Sequence, residues 1–343
     1  MHTIMDNEPK RHHYIPQFIL KNFVDTDEKL YYWDINKKKL IRSYTRFVFM
    51  NLHMYRDEIN HNDQPTFIEK TLAVFESDMA KIFQKLNEGS EIVLLRKELE
   101  ALRIFLCLLS FRSDLRMEQY VHNRFDDATR SILKQYAINE DYADLWKREI
   151  EELSRCRSYQ QIKDSTIIDP IIKQDLENAL MGYYMTIVDA RGGDFLITDV
   201  YPTLEIFPLF NGCNIHLHCL YPISPTRLLL LNHIMFKPDA NPALDIIMMR
   251  NTSQITGNLI IPPTNKYIKG PYSHDENDEY RYKVRKIYNA DVEYINSLLL
   301  NEARIGIAFN NAERIISSVQ AFNQRNGTKQ TLDELEKRLE VLF

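Results

Sequence analysis

The stretch TFIEKTLAVFESDMAKIFQKL, residues 66–86, decides how the chain folds. At roughly 100° per residue, Ile68, Leu72, Phe75, Met79, Ile82, Phe83 and Leu86 fall on one stripe. Such a stripe predicts an amphipathic helix that buries one face. Glu69 and Glu76 are seven apart and share one line along the stripe's edge. A second helix is predicted to start near Lys97 and to contain Leu102 and the run Ile104-Phe105-Leu106-Cys107-Leu108-Leu109. That run is apolar on every side, which marks a central buried helix with Arg112 and Arg116 at its far end. Helical sequence continues through Trp146 to about Leu153, and a shorter helix is predicted from Pro170 to Met185.

On the N-terminal side, residues 30–56 are rich in aromatic and β-branched side chains, with a break at Asp34-Ile35-Asn36-Lys37. The pattern predicts a hairpin and a further strand through Phe47–Tyr55. Residues 12–23 combine a histidine pair, Pro16 and apolar residues at 15, 18, 19, 20 and 23. They read as a short helix docked on the body of the protein, placing His13 within reach of the rest of the chain.

On the C-terminal side, residues 186–235 read as strands. Gly192-Gly193 suggests a hairpin between TIVDA and FLITD, and Pro222, Ser224 and Pro225 mark a later turn. Residues 241–257 and 288–320 look helical, and the tail TLDELEKRLEVLF offers Thr331 as N-cap. The fold class is α+β, predominantly helical with one or two small antiparallel sheets. The character changes near residue 185, so regions 1–185 and 186–343 form either two units or one continuous domain.

Composition narrows the function classes. The chain has 343 residues, 44% hydrophobic and 27% charged, with ample material for a core. Nine glycines disfavour a nucleotide-binding fold built on glycine-rich turns. A net charge of -5 gives no global basic field for nucleic acid, though local basic clusters remain open. Cys107, Cys156, Cys213 and Cys219 form no C-x-x-C pair. The first residues lack the apolar region of a signal peptide, and no apolar run approaches the ~20 residues of a membrane span. The expectation is a cytoplasmic, reduced protein that does not cross a membrane.

Several motifs carry a resemblance. They are H-Y-I-P-Q-F-I-L-x-N-F at 13–23, I-E-x-x-L-A-x-x-E at 68–76, F-L-x-x-x-x-x-R at 105–112, F-L-I-T-D at 195–199 and Y-P-I-S-P at 221–225. Together they resemble the bacterial "domain of unknown function 4238" family over roughly residues 12 to 312. The resemblance singles out His13, Pro16, Glu69, Glu76, Arg112 and Asp199, and implies no established reaction. Two departures fall at its positions. Ser113-Asp114 stand where the family usually has a proline soon after the arginine, and Val200-Tyr201 separate Asp199 from Pro202.

One imidazole, three carboxylates and an arginine suit hydrolysis of a phosphodiester. The carboxylates and imidazole would hold Mg²⁺ or Mn²⁺ and activate water, with Glu69 and Asp199 as metal ligands and Arg112 facing a phosphate. A nuclease effector of phage defence is the corresponding expectation. The alternative is a non-enzymatic binding or regulatory protein, with nucleic acid, a protein partner or a second copy as its target. There Glu69 or Glu76 pairs with Arg112 as a helix-to-helix salt bridge, and His13 pins the N-terminal segment to a backbone carbonyl.

Weaker signals complete the reading. Arg116-x5-His122 fits a ribonuclease-like spacing that chance also produces. His216 and His218 alternate on a predicted strand and share a face, as half of a metal site or as a packed pair. Tyr31, Tyr32, Trp33 and Tyr44, near Lys37-Lys38-Lys39, either stack on bases or form the inner face of a sheet.

Overall fold

The computed structural model describes residues 10–208, 214–237, 253, 255, 262–270, 274–325 and 331–342. Eleven α-helices and fourteen strands lie among them, so the protein is α+β and mostly helical. The decisive helix spans Phe67–Asn87, and all seven residues of its stripe are buried. Each contributes ~1.5–3 kcal/mol by leaving water, which makes tertiary packing the reason this helix exists. Its C-terminal carbonyls are capped from afar, since the Arg227 guanidinium donates to the Asn87 and Gly89 carbonyls at 3.3 Å.

The second helix, Arg96–Phe111, is buried from Ala101 to Phe111 except Cys107 and Ser110. It packs between Phe67–Asn87, Tyr142–Arg155 and Pro170–Met181. These helices and the N-terminal segment form one large apolar core. A second core gathers Val188, Phe195, Leu228 and Leu230 with the helices Asn289–Glu302, Ala312–Arg325 and Asp333–Glu340. No helix among the described residues is long and apolar enough to cross a membrane.

The strands form four sheets rather than one or two. Lys29–Asp34 and Lys39–Tyr44 make the predicted hairpin. Beyond it the chain forms a single turn at Thr45–Phe47 and only the short strand Met50–Leu52, which pairs with Arg11–His13. Three-residue strands are too short to leave a period-two signature, so the pattern alone overstated one and missed the other. The five-stranded sheet runs Arg285–Ile287, Tyr183–Ala190, Arg227–His233, Asn214–Ser224, Thr203–Pro208, with its first pair parallel.

Gly192 does turn the chain, at φ +94°, but not as a hairpin. Tyr183–Ala190 pairs with Arg227–His233, whereas Ile197–Thr198 enters a different sheet against Gly306–Phe309. That strand interrupts the helical stretch expected at 288–320. It also pairs with Lys29–Asp34, so the N-terminal hairpin and the C-terminal region share one sheet. Leu332 rather than Thr331 takes the last N-cap position. Of 241–257, only Ser253 and Ile255 are described residues.

One polar pair sits deep in the helical core. Glu149 and Asp169 are fully buried. Glu149 Oε1 accepts the Asp169 N–H at 3.0 Å, and Asp169 Oδ1 accepts the Ile171 and Ile172 N–H groups at 2.6 and 3.1 Å. Their remaining oxygens, Oε2 and Oδ2, are sealed from water without a donor. Arg148 lies nearby, but its Nε is held by Asp144. Burial, then the charge of Asp169, push the Glu149 carboxyl well above the usual range. The folded protein therefore keeps a proton that the unfolded chain releases above the ordinary glutamate range. Stability falls as pH rises through and beyond that range. Glu149→Gln should flatten this slope and raise the unfolding midpoint at pH 8, measured by urea titration between pH 5 and 8. Parallel curves for the two proteins would show that Glu149 is ionised in both states.

Candidate functional site

Arg112 closes the buried helix as its C-cap and is 1% exposed. A guanidinium there must find a partner for each donor or lose several kcal/mol of hydration without return. It finds them on three separate segments. Nη1 donates to Glu76 Oε1 at 2.6 Å, Nη2 to the His13 carbonyl, and Nε to the Tyr55 hydroxyl at 3.2 Å. Tyr55 in turn donates to the Arg112 carbonyl at 2.9 Å, and its ring lies 5.3 Å from the guanidinium carbon. Burial opposes the charge on Arg112, but Tyr55, Glu76 and Glu69 outweigh it, so the side chain stays charged.

Glu69 lies two turns before Glu76 on the same helix edge. Its Oε2 is buried with no hydrogen-bond partner. Burial raises its pKa to about 7, with Arg112 pulling down and Glu76 pushing up. Glu69 therefore joins the group by charge alone. His13 enters it by its carbonyl, while its ring turns away and Nε2–H donates to the Thr45 carbonyl at 3.2 Å. Burial lowers the His13 pKa to about 4, so the ring is neutral at pH 7. Its neighbour does comparable work unannounced by the sequence. His12 is 0% exposed, its Nδ1 accepts the Tyr55 N–H at 2.8 Å, and its ring stacks on that of Tyr55.

Asp199 stands apart from these four. Its Oδ1 accepts the N–H groups of Arg304, Ile305 and Gly306 at 3.0, 3.0 and 3.1 Å, organising the turn into strand Gly306–Phe309. Its field is felt at Tyr14, Tyr32 and Asp114. Glu69 and Asp199, the two expected metal ligands, thus belong to different groups. Among the described residues no three His, Cys, Asp or Glu side chains are placed to hold a metal ion.

The weaker signals also resolve into local contacts. Arg116 donates to Gln119, and His122 pairs with Glu118. A bulge opposite Glu205 and Ile206 breaks the alternation of His216 and His218. His216 is exposed, whereas His218 is fully buried and bonded through Nδ1 to Asn232 at 2.8 Å. Glu205 accepts from Tyr294 and Ser253 at 2.7 and 2.9 Å and lies 3.8 Å from His218 Nε2. Nothing in the local sequence signals that network, because its members, Glu205, His218, Asn232, Ser253 and Tyr294, come from five separate segments.

What the arrangement around Arg112 does is fasten. One guanidinium ties the first strand, the loop carrying Tyr55 and the long helix to the end of the central helix. Removing it leaves Glu76 and the His13 carbonyl without their donor. Arg112→Met should destabilise the fold by about 3–5 kcal/mol in urea unfolding, and a loss below about 1 kcal/mol would contradict the fastening role. Glu69 adds a second pH-dependent contribution. Because its folded pKa is raised, its contribution to stability is lost as pH rises from about 4.5 to about 7. Glu69→Gln should then be neutral or stabilising at pH 8, and clear destabilisation there would mean its ionised form is needed by the fold.

Comparison with known proteins agrees with the family that the resemblance named and adds no activity. No curated protein and no solved structure matches the chain. One family description, Protein of unknown function (DUF4238), matches residues 11–313. With nearly the whole length matched, the chain belongs to that family.

Proposed function

We propose that this protein binds nucleic acid, and that the His13, Glu69, Glu76 and Arg112 group presents the binding segment rather than cutting a phosphodiester. The observation that carries this reading is the segregation of charge. Residues 10–56 hold ten Lys and Arg against four Asp and Glu, a local +6 in a chain of net -5. Two of those acids are already engaged, Asp25 with Arg42 and Asp34 with Lys37. The segment also exposes aromatic rings, with Tyr44 at 40% and Phe47 at 44%. Basic charge interleaved with exposed rings matches a polyanion that carries bases.

The rest of the chain has a net acidic balance, which would favour approach of a polyanion at the basic segment. The proposed setting is the bacterial cytoplasm, consistent with Cys107, Cys156 and Cys219 as free thiols. Phage defence is the proposed biological role.

A second reading, a phosphodiester hydrolase, rests on Glu69 alone. A buried carboxyl with a free oxygen and a pKa near neutrality has the character of an acid–base group. One experiment separates the two. Labelled 20-nucleotide DNA and RNA are titrated with protein at several salt concentrations, with Mg²⁺ in one arm and EDTA in the other. Binding should weaken steeply with salt, about tenfold or more between 50 and 200 mM, and should persist in EDTA with the oligonucleotide intact. Cleavage in Mg²⁺ that Glu69→Gln abolishes without loss of folding would replace the binding reading by the catalytic one. Absence of both binding and cleavage would remove nucleic acid from consideration.

A further inference from the structure

Five side chains from three segments form a ladder on the surface of the basic region. The Lys29 ammonium sits 5.2 Å from the centre of the Tyr44 ring, and the Arg46 guanidinium lies at 5.2 Å from the same ring. Arg46 also lies 4.9 Å from the centre of the Phe47 ring, and Arg11 lies 4.8 Å from it. Arg46 is thus shared by both rings, and each ring has two cations near it.

The fold builds this ladder. Lys29 and Tyr44 are cross-strand partners at the open end of the hairpin. The turn Thr45–Phe47 follows at once and carries Arg46 and Phe47. Arg11 arrives from another sheet, on the strand paired with Met50–Leu52. The turn is held in place by His13, whose ring donates to the Thr45 carbonyl. None of Arg11, Lys29 and Arg46 has a carboxylate partner among the described residues. Three cations without counter-charges thus keep defined places over two half-exposed rings.

We infer that this ladder is the contact for single-stranded nucleic acid, with unpaired bases stacking on its rings and guanidinium planes and backbone phosphates meeting its cations. The inference rests on the nucleic-acid reading above and specifies the form of the polymer. A duplex hides its base faces and can use only the charges, whereas an unpaired strand can use both charge and π surface. Lys39–Tyr44 is the last strand of its sheet, and the ladder stands at the end of that strand, where pairing stops.

The test compares a 20-nucleotide unpaired DNA or RNA with a duplex of the same sequence, by fluorescence anisotropy at fixed salt. Phe47→Leu keeps the apolar bulk and removes the π face, Phe47→Trp restores a ring, and Arg46→Gln removes the shared cation. Thermal melting of each variant establishes that it is folded. The expected result is that Phe47→Leu weakens single-strand binding about tenfold, within the range seen for loss of one stacked base. Phe47→Trp should restore it, and duplex binding should be unchanged by either. Arg46→Gln should weaken both polymers. Equal affinity for both polymers, or single-strand binding unaffected by Phe47→Leu, would overturn the ladder as a stacking site while leaving nucleic-acid binding in place. No binding of either polymer by the unaltered protein would overturn both.

Discussion

The buried charge of Arg112 is the constraint on which the rest of this structure hangs. A guanidinium that is 1% exposed has no water to fall back on, so its donors dictate where their acceptors must be. Glu76 fixes the rotation of the long helix about its axis. The His13 carbonyl fixes the height of the first strand, and Tyr55 fixes the loop that follows the fourth. From there the dependence runs outward. The His13 ring holds Thr45, and Thr45 begins the turn bearing Arg46 and Phe47. A buried ion pair is weak evidence for net stability, since burying two charges consumes most of what their attraction returns. Its stronger role is specification: alternative packings of the N-terminal segment would strand a charge.

This casts the shared polar residues in a different light from the one their chemistry suggests. Histidine, two glutamates and an arginine have the composition of a hydrolytic centre, and their proximity alone would support one. Three of them are engaged with one another or with the backbone. His13 uses its carbonyl on Arg112 and its ring on a backbone oxygen, and Glu76 is engaged by Arg112. Only Glu69 keeps an oxygen without a partner, and burial shifts it toward the neutral form that such a place favours. With a pKa of about 7, Glu69 is only partly charged at neutral pH, which eases its repulsion by Glu76 while leaving an attraction to Arg112.

How much of this was legible in the sequence follows from the range of each interaction. The Phe67–Asn87 stripe is a property of consecutive residues, and all seven positions are buried as its periodicity predicts. The placing of Glu69 and Glu76 on the stripe's edge was legible for the same reason, and with it the pairing to an arginine at the end of the next helix. Asp199 was visible as an aspartate after a strand, but its task was not. The three N–H groups that it accepts lie more than a hundred residues away, on a turn whose strand interrupts an otherwise helical pattern. Gly306 carries the same lesson. A Cβ there would come within 2.2 Å of the Tyr32 hydroxyl, so the glycine is required by a ring in the distant hairpin. Likewise Glu149 and Asp169 are 20 residues apart and meet only because the fold seals them together.

The same distinction bears on where function sits. Tyr31 and Tyr44 were flagged for stacking as members of an aromatic hairpin, yet their fates differ. Tyr31 is stacked on Phe309, with Arg42 above it tied to Asp25, so its charge and ring are both engaged. Tyr44 stands at the strand's end, where pairing stops and the rings meet solvent. Phe47, which no periodicity marked, becomes its neighbour only because the chain turns at Thr45. A surface site of this kind depends on rigid support, because mobile cations over mobile rings lose in ordering entropy what they gain in contact. The support here is the chain of bonds that runs back through His13 to Arg112. If nucleic acid is the ligand, the most buried residues of the polar set matter to binding without touching it: loosening Arg112 would blur the ladder before it unfolded the protein.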